Sequence, residues 1–120
     1  MDNIKAYDLE KLLKKWQHIL DLDNWTIKLT DNCTIEDIGE NSGYCDYDEL
    51  HKCAVIYILD EKQYGDRILP LDIEKTLVHE LLHIKFWFLD KSESIVQNRL
   101  VHQLIEDMAK ALVSIKRNKE

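Results

Sequence analysis

The chain has 120 residues and a formal net charge of −7 at pH 7, from 16 Lys and Arg against 23 Asp and Glu. That length suits one domain built on a single core, and the apolar and charged fractions, 45% and 32%, are those of an ordinary globular protein rather than a disordered chain. The negative field repels phosphate backbones, so no nucleic-acid partner is expected.

From Ile4 to Leu20 the apolar residues Leu9, Leu12, Leu13, Trp16, Ile19 and Leu20 form a helical stripe, with lysines and glutamate on the other face. This predicts a packing helix, ended by the polar DLDN at 21 to 24. Trp25 to Thr30 alternates with period two, as a half-buried strand does. Residues 31 to 43, DNCTIEDIGENSG, are turn formers and acids and read as a loop. Tyr44 to Tyr47 and the β-branched, aromatic run Cys53 to Leu59 then read as two strands of a hairpin turning at DELHK. The linker DEKQYGDRIL leads to Pro70, suited to open a helix whose first turn carries Asp72 and Glu74.

That helix is predicted to run to about Leu89. It is apolar round most of its circumference, through Ile73, Leu77, Val78, Leu81, Leu82, Ile84, Phe88 and Leu89, and must therefore be central. A last helix starts near Ser92 or Ser94, where Ser94-x-x-Gln97 makes a capping box, and continues to about Lys116. The expected fold class is α+β: an N-terminal helix, a small, mostly antiparallel three-stranded sheet, the central helix and a C-terminal helix, in one domain over residues 1–120.

No apolar run reaches the ~18 residues of a membrane span, and MDNIKAYDLEKLLKKW lacks the apolar core of a signal peptide. The expected compartment is the cytoplasm, with no membrane partner. Three cysteines, Cys33, Cys45 and Cys53, argue against a disulfide framework. Cys45, His51 and Cys53 lack the paired knuckle and fourth partner of a structural zinc site. The basic tail Lys116, Arg117 and Lys119 reads as a solvated helix end, while Trp16 and Trp25 read as core anchors and Phe86 and Trp87 as core or rim packing.

The chemistry lies in the central helix, where residues 79 to 83 read HELLH. On a helix, positions i and i+4 share a face, so His79 and His83 can grip one metal ion together. Glu80 lies roughly 60° round the helix from His83 at about 100° per residue. It can reach a water molecule on that metal and act as general base. A catalytic zinc takes three protein ligands and keeps its fourth position open. The third is sought on the last helix, in VHQLIEDMAKAL, where His102 and Glu106 share one seam and Ala109 continues it with a side chain small enough to admit a neighbouring helix. Either His102 binds the metal and Glu106 accepts a hydrogen bond from a ligand histidine, fixing its tautomer, or Glu106 binds directly.

On these residues the chain resembles the zincins, and more narrowly the small phage-type and bacterial metallopeptidases of minimal gluzincin build. The resemblance covers most of the chain: an N-terminal helix, Leu22-x-x-Trp25 leading into a strand, an apolar strand, the TLVHELLH helix and a final helix. In that helix His102-Gln-Leu-Ile-Glu-Asp-Met-Ala109 fits a pattern like E-Q-V-V-N-R-L-A, with His in place of the first Glu. The resemblance implies His102 as third ligand beside His79 and His83, zinc as cofactor, Glu106 as the orienting acid and peptide or protein as substrate. It also implies that the strand around Ala54 to Leu59 binds peptide by strand addition. Tyr64, His51 and Arg99 are candidate donors to a developing oxyanion. The alternative function is a non-catalytic module of the same fold that presents its sheet edge to a protein partner.

Overall fold

The computed structural model describes residues 6–34, 36, 42–64, 72–89 and 93–119. Helix α1 spans Ala6–Ile19, strand β1 Thr26–Cys33, β2 Gly43–Asp48 and β3 Cys53–Leu59. A short helix α2 follows at Glu61–Tyr64, then α3 at Ile73–Lys85, a 3-10 turn at Trp87–Leu89, and α4 at Ile95–Asn118. The α+β class is as expected from the pattern of apolar residues. The segments carrying Pro70 and Ser92 lie outside the described residues.

The sheet is mixed, in the order β1-β3-β2. The expected hairpin is present, β2 pairing antiparallel with β3 from Gly43↔Ile58 to Asp48↔Cys53. At its turn the Asp48 carboxylate accepts hydrogen bonds from the Leu50 and His51 N–H groups at 3.0 and 3.3 Å, and Lys52 takes a positive φ of 53°. Strand β1 joins the other side of β3 in parallel, from Thr26↔Cys53. Strand β3 is therefore the middle strand, with both backbone edges used. That corrects the expectation that Ala54 to Leu59 offers a free edge for peptide: the middle place explains why this run is apolar at nearly every position, and the edge positions belong to β1 and β2.

One face of the sheet is covered by α3, which is central as its composition requires. Leu77, Val78, Leu81, Leu82 and Ile84 are each buried to within 1% and pack with Ile56 and Ile58 of β3 and with Leu13 and Trp16 of α1. Each such side chain contributes roughly 1.5–3 kcal/mol on leaving water. Asp72 caps α3, its side chain accepting from the Lys75 N–H at 3.1 Å. The helix stops at Lys85 rather than running to Leu89, and the Phe86 N–H closes it onto the Leu82 carbonyl at 2.9 Å. Trp87 and Phe88 consequently stand 43% and 63% exposed rather than in the core, whereas Phe86 packs against it. Trp16 and Trp25 are buried, as expected of anchors.

Ser94 caps α4 by accepting from the Gln97 N–H at 3.2 Å. The helix packs on α3 through Ile105, Ala109 and Val113, all buried, and the small Ala109 lets the two helices approach. They run antiparallel, since Asp72 meets Arg117 whereas His79, further along α3, meets Glu106.

The basic tail is not a solvated end. Arg117 holds Asp72 with two hydrogen bonds, of 2.8 and 2.9 Å, and Lys116 lies 2.9 Å from the buried carboxylate of Glu74. The Trp16 indole N–H donates to the same carboxylate at 2.8 Å. One acid in the first turn of α3 thus ties together three helices. Among the described residues no helix is long and apolar enough to cross a membrane.

Candidate metal centre

Helix α3 presents His79 and His83 one turn apart, and α4 brings His102 to meet them. One ring nitrogen from each lies within 4.8 Å of the other two. The His79 and His102 ring centroids are 4.8 Å apart, those of His83 and His102 5.8 Å. Among the described residues this is the only gathering of His, Cys, Asp and Glu compatible with a metal ion. Cys45, His51 and Cys53 make none: the His51 ring is held 2.7 Å from Asp48 in the hairpin turn, and Cys53 opens β3 beside it.

The tautomer of His79 follows from its partner. A carboxylate oxygen only accepts, so the 3.1 Å contact from His79 Nδ1 to Glu106 Oε1 places the proton on Nδ1 and leaves a lone pair on Nε2. That Nε2 faces His83 Nε2 at 3.2 Å. Two nitrogens bound tetrahedrally to one zinc at ~2.0–2.1 Å are about 3.3 Å apart. The observed spacing is thus already that of a ligand pair. Burial holds the His79 imidazole below its ordinary 6.5, against the opposing pull of Glu106, and the neighbouring His83 and His102 add to the lowering. A neutral imidazole is the form that ligates.

Glu106 stands outside the nitrogen cluster, and its two oxygens are already engaged. Oε1 accepts from His79, and Oε2 accepts from the Lys75 ammonium at 3.4 Å. Burial works to raise this carboxyl, but the hydrogen bond from His79 and the charge of Lys75 hold it below its ordinary 4.5. An ionised Glu106 fits the role of orienting acid. The three imidazoles, with one tautomer fixed from outside, are a donor set suited to zinc.

The cluster lines a cavity of about 490 Å³ shared with Glu80 and Lys75 of α3 and with Tyr44, Cys45 and Tyr47 of β2. Glu80 is 7% exposed, on the helix face toward β2. The gap between strand and helix is narrow at Gly43. A Cβ there would lie 2.6 Å from Thr76 Cγ2 and 3.2 Å from Glu80 Oε2. Only glycine lets the edge strand come this close to the carboxylate.

Compared with protein-family models, with curated proteins and with solved structures, the chain gives no match in any of the three. The functional reading therefore stands on the site itself.

The structure brings together His79, His83, His102, Glu80 and Glu106 as the motif spacing suggested. It does not bring Tyr64, His51 or Arg99 to the cavity. Tyr64 instead packs against Cys33 and Leu59, in a separate small apolar cluster. Tyr44, Tyr47 and Lys75 are among the donors that do line the cavity. Sequence reasoning passed over all three. For Tyr47 a signal was present: in a half-buried edge strand it falls on the same face as Gly43 and Cys45, turned toward the helix that carries HELLH.

Proposed function

We propose that the protein is a zinc-dependent peptidase, with His79, His83 and His102 as metal ligands, Glu80 as general base and Glu106 as the orienting acid. The observation that carries this reading is the convergence of three imidazole nitrogens within 4.8 Å in a cavity that also holds a buried glutamate. A zinc ion held there supplies Lewis acidity, which polarises a carbonyl oxygen and makes a water molecule acidic near neutral pH. Glu80 takes the proton of the attacking water and delivers it to the departing amine nitrogen, a transfer suited to a carboxylate sheltered from bulk solvent. Glu106 keeps the His79 ring in one tautomer and one orientation. Strand β2 borders the cavity as the outermost strand among the described residues, on the side along which an extended peptide would lie.

Three free thiols fit a reducing compartment, and we place the protein in the cytoplasm on that ground. The same groove serves the alternative reading, in which a partner's strand docks along β2 and no bond is cut. The two part on Glu80. The test is elemental analysis of untagged protein purified without metal-affinity resin, followed by a peptide-library digest with wild type and Glu80→Gln. About one zinc per chain, with hydrolysis in the wild type and a loss of roughly 10²–10⁴-fold in the variant while zinc is retained, is the expected result. Turnover undiminished by Glu80→Gln removes the mechanism. Bound zinc with no turnover leaves the binding module, and a protein that takes up no zinc removes the peptidase and moves that module to the front.

A further inference from the structure

The cavity around the histidines does not close at Glu106. Lys75 lines it and also lines a second hollow, of about 310 Å³, further along the groove between α3 and α4, whose wall includes Asp72, Lys110, Ser114 and Arg117. The charges in this hollow differ in standing. Arg117 is committed to Asp72 by its two short hydrogen bonds. Lys75 reaches Glu106 at the longer distance of 3.4 Å, and its side chain is 25% exposed, so the ammonium keeps donors for a second acceptor. Lys110 is exposed and forms no ion pair among the described residues. The second hollow is thus lined by three cations, Lys75, Lys110 and Arg117, against the single carboxylate of Asp72, on a chain whose net charge is −7, while Glu80 and Glu106 line the histidine cavity. The lining of this hollow carries the opposite sign to the chain as a whole.

We propose that the groove selects polypeptides bearing an acidic side chain, whose carboxylate sits between Lys75 and Lys110 while the neighbouring backbone lies over the histidine cluster. The position of that backbone rests on the peptidase reading; the charge preference does not. Lys75 precedes His79 by one helical turn, a rise of about 6 Å along α3. An extended peptide covers this distance in about two residues at roughly 3.3 Å each. The acidic residue therefore falls about two positions from the backbone group that lies over the histidines. A lysine ammonium suits this task, because it meets a carboxylate as a point charge from many directions and tolerates a mobile partner.

The test separates binding from turnover. Two fluorescently labelled peptide sets, identical except that each glutamate in one is glutamine in the other, are titrated into zinc-loaded Glu80→Gln protein and followed by anisotropy. The glutamate set is expected to bind roughly fivefold more tightly at low salt, with the preference fading as salt is raised. Lys110→Glu, at an exposed helical site, is expected to abolish or invert the preference, and Lys110→Gln to weaken it. Lys14→Glu makes the same change of net charge on the exposed face of α1 and is expected to leave the preference intact. Equal affinity for the two sets, or a preference that survives Lys110→Glu, overturns the proposal. So does a preference that Lys14→Glu removes equally, which assigns it to the overall field. Wild-type cleavage separates the two readings: a preference that stands while no peptide is cut defeats the peptidase and keeps the hollow, whereas equal cleavage of both sets defeats the hollow and keeps the peptidase.

Discussion

Helices α3 and α4 meet through two polar clusters of opposite kinds. At the start of α3, the carboxylates of Asp72 and Glu74 face the cations of Lys116 and Arg117, with the Trp16 indole as a further donor, so donors and acceptors are matched. In the middle of α3, three histidines each bring one ring nitrogen within 4.8 Å of the other two, and of the two carboxylates that share their cavity Glu106 engages His79 from outside the cluster while Glu80 lies toward β2. The first cluster is complete as it stands. In the proposed reading, the second gains its full stabilisation when a cation occupies the point the three nitrogens share. A matched cluster holds the fold, and an unmatched one of this geometry points to a ligand.

The sharpest way to break this contrast is to remove one member from each cluster. Glu74→Ala removes the buried acceptor of the Trp16 N–H and of the Lys116 ammonium, and is expected to cost about 1–3 kcal/mol of stability in denaturant titration. The zinc stoichiometry at saturating metal should stay at the wild-type value, because Glu74 touches none of the histidines. His79→Ala should do the converse. Chelation should lower the melting temperature of the wild type, since a ligand bound only to the folded state stabilises it, and should leave that of His79→Ala unmoved. If chelation shifts both proteins alike, the histidine cluster is not where the metal acts.

A smaller effect tests the link between Glu106 and the metal. Glu106→Gln keeps the shape but loses the charge that fixes the His79 tautomer, and competition with a chromophoric chelator should show zinc bound roughly 10–100-fold more weakly. An unchanged affinity would make Glu106 a partner of Lys75 alone. A loss of all detectable binding would favour the alternative in which Glu106 is itself a ligand.

The smallest effect concerns pH. Burial works to raise the Asp72 carboxyl, but hydrogen bonds from Arg117 and from the Lys75 N–H, with the charges of both residues, hold it below its ordinary 3.8. A lowered folded-state value means that the stabilisation is complete above 3.8 and is lost as the pH falls through the folded value. Arg117 is about half exposed, so solvent screening limits the pair to under about 1 kcal/mol. Arg117→Met should therefore be slightly less stable than wild type at neutral pH, and the difference should shrink in strong acid. A gap that persists there would show that Arg117 acts through packing rather than charge.

What the sequence disclosed and what it withheld divide along the range of the interactions. The HELLH pair, Glu80, and the His102 and Glu106 seam are each set by helical spacing within a single element, and the structure brings these residues into one cavity. The α+β pattern and the β2–β3 hairpin were legible for the same local reason. Strand order was not: alternation marks Thr26 to Thr30 as a strand but says nothing of its joining β3 in parallel, which leaves β2 rather than β3 beside the cavity. The tail was misread because lysine and arginine at a helix end look the same whether they face water or a carboxylate 45 residues away. Phe88 and Leu89 continued the apolar period of α3, yet the helix closes at Phe86 and turns them outward.

Gly43 carries a consequence for how the groove is dimensioned. The clearance between the edge strand and Glu80 is fixed by a single hydrogen atom, since the place a methyl group would fill is already occupied by Thr76. Alanine at this position would act as a shim: the hairpin would lift from the helix, and in the proposed peptidase a peptide laid along β2 would ride higher above the carboxylate assigned to the attacking water. The histidines and their metal affinity would be untouched. One methyl group placed outside the histidine cluster would thus tell whether the groove needs only its chemistry or also its calibre.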